Sequence, residues 1–227
     1  MAVGYNPRIV TDGLVLALDA ANTKSYGGSG TTWTDLNGRG NNGTISGATY
    51  NSDGYFSFDS TDDLVTIPNS SDLTFGTGEF AVEIWWNRTT TGSCKAWALG
   101  DLYYTNGIEL TYSATNGLIV FSGIGGIRIT ADSVPSSNAW HHYVVERTGS
   151  TWKLYIDGVV QSETYSSSAS LGTGGDGDMR LGAQKYNGSL YYNGTKNISN
   201  FKVYKGKGLT AAEVKQNFNA LRGRFGI

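Results

Sequence analysis

Short apolar or alternating segments, separated by turn residues, follow one another along almost the whole chain. Six Asn-Gly and four Asp-Gly pairs supply many of the turns, because both pairs accept the positive φ angles that tight hairpin turns need. Many short strands without a linker between them predict one closed or sandwiched β domain. The segments predicted to be strands are residues 14–18, 55–58, 64–67, 80–87, 96–99, 108–112, 118–121, 127–130, 143–147, 152–156, 179–181 and 198–204.

One helix is predicted near the C-terminus, over residues 209–221. Thr210 is a suitable N-cap, and Glu213 three positions later completes a capping box. Apolar residues then recur at i, i+4 and i+7, which places them on one helix face. We expect this face to pack against the edge of the sandwich through Val214, Phe218 and Leu221.

Composition narrows the function classes. Of the 227 residues, 32 are glycine and 16% are charged, against an average charged share of about 25%, which is typical of many strands joined by tight turns. The net charge is −2 and the basic residues are scattered, so neither nucleic acid nor an anionic membrane is an expected partner. Cys94 is the only cysteine, which excludes an intrachain disulfide. No signal peptide or apolar span is predicted, so we expect a soluble protein made in a cytoplasm.

Two stretches in the last third of the chain have a recognisable order of segments. Residues 139–161 (AWHHYVVERTGSTWKLYIDGVVQ) predict a hairpin and then a second tight turn, and residues 197–218 (NISNFKVYKGKGLTAAEVKQNF) predict a strand, a turn and the helix. Together they resemble the concanavalin A-like, laminin-G/pentraxin-type jelly roll. The resemblance implies an all-β fold, a jelly-roll β-sandwich with one short C-terminal helix, and a binding or assembly module.

A second set of motifs extends the resemblance over nearly the whole chain. From Gly13 the sequence is GLVLALDAANTKSYGGSGTTWTDLNGRGNNGTISGATY, and an acidic turn at residues 58–63 then leads into the strand at 64–67. These segments resemble domains of tailed-bacteriophage virion proteins, particularly those of marine and cyanobacterial phages. The resemblance implies an N-terminal arm (1–12), a single domain (13–221) that includes the helix, and a C-terminal tail (222–227).

The resemblance also implies a setting and partners. We expect a virion structural protein on the particle surface, assembled in the host cytoplasm, as a capsid decoration or head-appendage protein. The alternative is a carbohydrate-binding adhesin at a tail or fibre tip, with host-surface or environmental glycans as ligands. Other virion proteins are expected partners, and a homo-oligomer is compatible with them. The residues expected to contact a neighbouring molecule lie in the arm and the tail: Tyr5, Pro7, Arg8, Arg222, Arg224 and Phe225.

A glucanase is the enzymatic alternative, because that superfamily includes such enzymes. They need two carboxylates on one strand, about 5–5.5 Å apart for a retaining mechanism. The nearest match is Glu79-Phe-Ala-Val-Glu83, where Ala81 replaces the central aspartate, so we expect no enzyme activity and a structural role for Glu83. His141 and His142 are adjacent on a strand and point to opposite faces, which prevents one metal ion from taking both.

Calcium is the one metal for which the sequence offers a site, although the expected function requires no cofactor. Asp59, Asp62 and Asp63 bring carboxylate oxygens into one turn, and such hard ligands suit calcium. Aspartates also cap turns without any metal. Both interpretations of the acidic turn stay open.

Aromatic residues in loops are the candidates for glycan binding, because such rings stack on sugars beside amide and carboxylate groups. If a tyrosine pair is extended, one ring should face inward and the other outward. The tryptophans in predicted strands, including Trp140, are assigned to the core. The candidate glycan-binding residues are Trp33, Tyr103, Tyr104, Tyr186, Tyr191 and Tyr192.

Overall fold

The computed structural model describes residues 8–104, 107–122, 126–172 and 176–227. In chain order the elements of that part are β1 (Leu14–Asp19), β2 (Thr32–Trp33), β3 (Gly43–Ser46), β4 (Thr49–Asn51), β5 (Tyr55–Phe58), β6 (Leu64–Ile67), β7 (Phe80–Arg88), β8 (Cys94–Leu99), β9 (Ile108–Ser113), β10 (Gly117–Ser122), β11 (Gly126–Thr130), β12 (Trp140–Thr148), β13 (Thr151–Ile156), β14 (Val159–Ser166), β15 (Met179–Leu181), β16 (Gln184–Tyr186), β17 (Ser189–Tyr191), β18 (Lys196–Lys205), α1 (Ala211–Leu221) and a final 3₁₀ turn (Arg222–Phe225).

Two antiparallel sheets form a sandwich, which confirms the predicted all-β jelly-roll fold. Sheet A has the strand order β14-β13-β12-β7-β18-β5-β4, with β1 also paired to β18. Sheet B has the order β11-β10-β9-β8-β15-β6-β3-β2, and the hairpin β16–β17 stands apart from both. Every predicted strand is present. The strands that the prediction missed are β2, β3, β4, β14, β16 and β17.

The core lies between the sheets and is filled by alternate side chains of each strand. On β7, for example, Val82, Ile84 and Trp86 belong to the main core cluster. The residues between them face outward from sheet A, as the two-residue period of a strand requires. A second, smaller cluster on that outer face includes Val10, Tyr204 and Val214.

Trp33 belongs to the main core, which corrects its prediction as an exposed glycan-binding ring. The side chain is fully buried in β2 and its ring centroid lies 4.7 Å from that of Phe56. Its neighbour Thr32 is exposed, because β2 pairs with β3 and alternates like any strand. A two-residue strand is too short to show this alternation in the sequence.

The helix has the predicted capping box but packs on a different surface. The Thr210 side chain accepts a hydrogen bond from the Glu213 backbone N–H, and the Glu213 carboxylate accepts one from the Thr210 N–H. Phe218 stacks on Trp85, a residue of the central strand β7, with 5.8 Å between ring centroids. The helix therefore covers the outer face of sheet A rather than the sandwich edge, since that face carries large rings that need burial. No helix among the described residues is long and apolar enough to cross a membrane.

The C-terminal tail packs against its own domain. Arg224 binds both carboxylate oxygens of Asp19, at 2.7 and 3.0 Å. Phe225 stacks on Trp85 at 4.2 Å between centroids. The tail was expected to lie outside the sandwich and to contact a neighbouring molecule, but it packs on its own domain because sheet A has an aromatic surface beside the helix. Arg222 is exposed.

The described part of the N-terminal arm is also attached to the helix. The Gln216 side chain donates to the Arg8 carbonyl, and the Val10 N–H donates to Asn217 Oδ1 at 2.7 Å. Tyr5 and Pro7 lie outside the described residues.

Candidate functional site

A groove on the outer face of sheet B is a candidate binding site. Its floor consists of outward-facing side chains of β8, β9 and β10, and one rim is the β16–β17 hairpin. The cavity measures about 330 Å³. We call it the sheet B groove; the residues that define it here are Lys95, Glu109, Phe121, Ile127, Gln184 and Tyr186.

Glu109 is the central polar group of this groove. Strand β9 alternates, so Ile108 and Leu110 fill the core while Glu109 faces outward. The Lys95 ammonium donates to Glu109 Oε1 at 3.1 Å, whereas Oε2 is buried and has no hydrogen-bond partner among the described residues. Burial raises the pKa of the Glu109 carboxyl, and Lys95 opposes that effect. An unpaired buried acceptor carries a desolvation cost that a ligand donor would relieve.

The groove rim is held in place by Asp101. Its Oδ1 accepts the N–H groups of Tyr103 and Asn187, at 3.0 and 2.9 Å, and its Oδ2 accepts the Gly188 N–H at 2.8 Å. Asn187 and Gly188 both have positive φ, 47° and 76°, as a type I′ hairpin turn requires. A single buried carboxylate thus fixes the loop that carries Tyr103 to the hairpin that carries Tyr186.

The tyrosines predicted to bind glycans do not all meet in one place. Tyr103, Tyr104 and Tyr186 form an exposed cluster at the rim, and the Tyr103 ring centroid lies 5.5 Å from those of both Tyr104 and Tyr186. Tyr103 and Tyr104 are both exposed because they lie in a turn, so the inward–outward alternation fails for this pair. Tyr191 is exposed and pairs with Gln184 in the hairpin, and Tyr192 is half-buried.

Of the residues that define the groove, the sequence reasoning named only Tyr186, and the polar groups that it missed include Glu109 and Gln184. Gln184 Oε1, like Glu109 Oε2, is buried without a hydrogen-bond partner in the described part of the chain. The alternation of residues 108–111 was a signal for Glu109, since it puts a carboxylate and Thr111 on the face opposite two core residues. No comparable signal existed for Gln184.

The acidic turn brings its three carboxylates together. Single ligand oxygens of Asp59, Asp62 and Asp63 lie within 4.8 Å of one another, a spacing compatible with calcium–oxygen distances of about 2.3–2.6 Å. Two of the carboxylates also cap the turn: Asp63 accepts the Asp59 N–H and Asp59 accepts the Thr61 N–H. Burial raises the pKa of Asp63. Calcium binding here stays a prediction.

Glu83, the carboxylate of the glucanase alternative, is sealed beneath the helix. It is fully buried, and its Oε1 accepts from the Lys202 ammonium at 2.7 Å while Oε2 accepts from the Asn217 amide at 2.6 Å. Burial alone would raise the pKa of the Glu83 carboxyl, but Lys202 and His142 overcome it and lower the pKa to about 2. A general acid needs the opposite shift and access to substrate.

The two histidines occupy different environments, as their alternation predicts. His142 is fully buried beside Glu83, with 3.3 Å between Nε2 and Oε1. His141 is half-buried and its Nδ1 lies 2.8 Å from Asp157. His141 Nε2 also lies 3.2 Å from the hydroxyl of the exposed Ser136, so Ser136, His141 and Asp157 are in contact in the order of a Ser-His-Asp triad. Neither imidazole has a set of metal ligands around it in the described residues.

The family model for the concanavalin A-like lectin/glucanases superfamily, of the laminin-G type, matches residues 59–215. The chain belongs to this superfamily. The match covers most of the sandwich, from the acidic turn to the C-terminal helix, and so includes every element of the sheet B groove. No curated protein matches the chain in sequence.

Solved structures share the fold at low sequence identity. Trypanosoma rangeli sialidase, in complex with 2-keto-3-deoxy-D-glycero-D-galacto-2,3-difluoro-nononic acid, has a TM-score of 0.72 at 15% identity, over 95% of this chain and 34% of that one. A mutant of HCR/D has a TM-score of 0.65 at 13% identity, over 91% and 52%. The binding domain of Paraclostridial Mosquitocidal Protein 1 has a TM-score of 0.64 at 16% identity, over 92% and 52%.

The chain spans about a third of the sialidase and about half of the other two chains. At these identities the similarity shows the fold alone. The superfamily includes lectins and glucanases, and the structural relatives include both a sialidase and a domain described as a binding domain.

Proposed function

We propose that this protein is a non-catalytic carbohydrate-binding module that binds a glycan in the sheet B groove. The observation that carries the proposal is Glu109: an almost fully buried carboxylate with one unpaired oxygen, on the floor of a groove walled by aromatic rings. Sugar hydroxyls are donors that fit such an oxygen, and the exposed ring of Tyr186 offers a face to a pyranose. The sialic-acid-type ligand of the similar sialidase, and the lectins of the superfamily, support a carbohydrate as ligand.

Mutation of the groove tests this function. A glycan array identifies a ligand, and isothermal titration then compares the wild type with Glu109→Gln. Loss of a hydrogen bond to a charged acceptor should raise Kd by about 10- to 100-fold. Asp12→Asn is the matched control, because Asp12 is an exposed carboxylate outside the groove and its loss should leave Kd unchanged.

A second pair of variants separates the groove from the rest of the hairpin. Tyr186→Ala should weaken binding by about tenfold through loss of stacking. Tyr191→Ala should have a smaller effect, because Tyr191 does not line the groove. Equal affinities of the wild type and Glu109→Gln for every glycan on the array would reject the groove as the site.

The setting that we propose for this module is the surface of a bacteriophage particle, as a capsid decoration or head-appendage protein. The order of segments that resembles phage virion domains supports it, and a tail-tip adhesin is the alternative. Quantitative mass spectrometry of purified particles gives the copy number relative to the major capsid protein. A number close to that of the capsid protein supports decoration, a handful of copies supports the adhesin, and absence rejects a virion protein.

A further inference from the structure

A second pocket lies on the opposite face of the molecule, between the C-terminal tail and the outer face of sheet A. Its volume is about 540 Å³. Strand register builds its floor: Trp140 of β12 and Asn197 of β18 both pair with Asn87 of β7, so their side chains lie side by side on one face. We call it the tail pocket, because Arg224 and Phe225 form its outer wall.

Three aromatic rings line the tail pocket. The Trp140 centroid lies 5.6 Å from that of Tyr55 in an edge contact and 4.9 Å from that of Phe225 in a tilted one. All three residues are only half-buried, so part of each ring is open to the pocket. Trp140 was assigned to the core from the sequence; the structure places it at this wall instead.

The side-chain amide of Asn87 lies at the floor of the tail pocket, and its oxygen accepts no hydrogen bond from the described residues. Asn87 is 9% exposed, and its Oδ1 is buried without a hydrogen-bond partner among the described residues. The neighbouring Asn197 is fixed by the Ser57 hydroxyl, which donates to its Oδ1 at 2.9 Å. The ring faces can pack against the apolar C–H face of a sugar, and the amides of Asn87 and Asn197 beside them can hydrogen-bond to its hydroxyl groups.

The charges around the tail pocket select against anionic ligands. The Arg224 guanidinium is neutralised by Asp19, and Asp53 adds an exposed carboxylate at the rim. An anion would face the exposed Asp53 carboxylate without a free cation to pair with. A neutral sugar does not meet this repulsion.

We propose that the tail pocket is a second carbohydrate site, specific for a neutral saccharide, that makes the module bivalent through opposite faces. The site depends on the tail, because Phe225 completes the aromatic wall and the Arg224–Asp19 ion pair holds the tail down. The proposal adds to the proposed function: binding in the tail pocket does not depend on the sheet B groove, whereas bivalence rests on both sites.

Isothermal titration with a defined panel tests the proposal. The neutral probes are glucose, galactose, mannose and N-acetylglucosamine with their short oligomers; N-acetylneuraminic acid, glucuronic acid and choline are the charged controls. Asn87→Ala removes the unpaired amide. Asp53→Ala is the second variant, and it should stay folded because it changes only an exposed residue at the rim. We expect a neutral saccharide whose Kd rises about tenfold or more in Asn87→Ala and less in Asp53→Ala.

The groove variant Glu109→Gln separates this proposal from the proposed function. Neutral-sugar binding that survives Glu109→Gln but is weakened by Asn87→Ala supports the tail pocket, whether or not the groove binds anything. Binding lost only in Glu109→Gln overturns the tail pocket and leaves the groove. A preference of the Asn87-dependent site for an acidic sugar or for choline also overturns the proposal, as does the absence of binding by every probe.

Discussion

Replacement of Lys202 by methionine is the sharpest test of the role assigned to Glu83. Lys202 is 2% exposed and its ammonium lies 2.7 Å from a carboxylate that is fully buried. Methionine has a similar length and no charge, so Lys202→Met leaves Glu83 as a buried anion without its cationic partner. Glu83 retains the Asn217 amide at 2.6 Å and His142 at 3.3 Å.

The expected loss of stability is large. Removal of one partner of a buried ion pair costs about 3–5 kcal/mol. The hydrogen bond that Asn217 still donates to Glu83 places this case near the lower end, at about 3 kcal/mol. For a domain of this size that corresponds to a fall in Tm of roughly 6–12 °C. The double variant Glu83→Gln/Lys202→Met has no buried charge left at these positions and should recover most of the loss.

The loss of stability caused by Lys202→Met should also depend on pH and become smaller as pH falls. In the wild type the pKa of Glu83 is lowered, so its contribution to stability is present above the unfolded pKa of about 4.5 and is lost as pH falls towards 2. Without Lys202, burial is opposed by His142 and no longer by the ammonium, so we expect the pKa of Glu83 to rise above its value in the wild type. The variant then gains relative stability as pH falls, and the difference from the wild type should narrow between pH 7 and pH 4.

Urea unfolding of the wild type and the variants at both pH values measures these differences. Lys207→Met is the matched control, because Lys207 pairs with Asp12 and Glu213 near the surface, and the loss of such exposed ion pairs should cost about 1 kcal/mol or less. A loss in Lys202→Met no larger than in this control, or a double variant as unstable as the single one, would refute a structural ion pair at Glu83.

Two further changes probe the groove rim and the acidic turn. Asp101→Ala removes three hydrogen bonds to backbone N–H groups and should raise the Kd of a groove-bound glycan by about tenfold, measured by titration, while Lys95–Glu109 contacts remain. Millimolar calcium should raise the Tm of the wild type in differential scanning fluorimetry but not that of Asp62→Asn, since binding to the folded state alone stabilises it. An unchanged wild-type Tm would leave the acidic turn as a capped turn only.

The strands, the start of the helix and other local features of this protein could be predicted from its sequence. Strand positions followed from two-residue alternation, and the start of the helix followed from Thr210 and Glu213, because both signals depend on residues a few positions apart. The opposite environments of His141 and His142 followed from the same alternation. The structural role expected for Glu83 followed from its motif, in which Ala81 replaces the central aspartate.

Only the tertiary structure decided which aromatic and polar groups are available to a ligand. Trp33 is in the core and Trp140 lines a pocket, although the sequence suggested the reverse, because exposure depends on which distant segment covers a ring. Glu109 and Gln184 meet in the groove from strands far apart in the chain, and Phe225 reaches Trp140 only because the tail folds back over sheet A. Such contacts arise from long-range packing, which local patterns of residues do not encode.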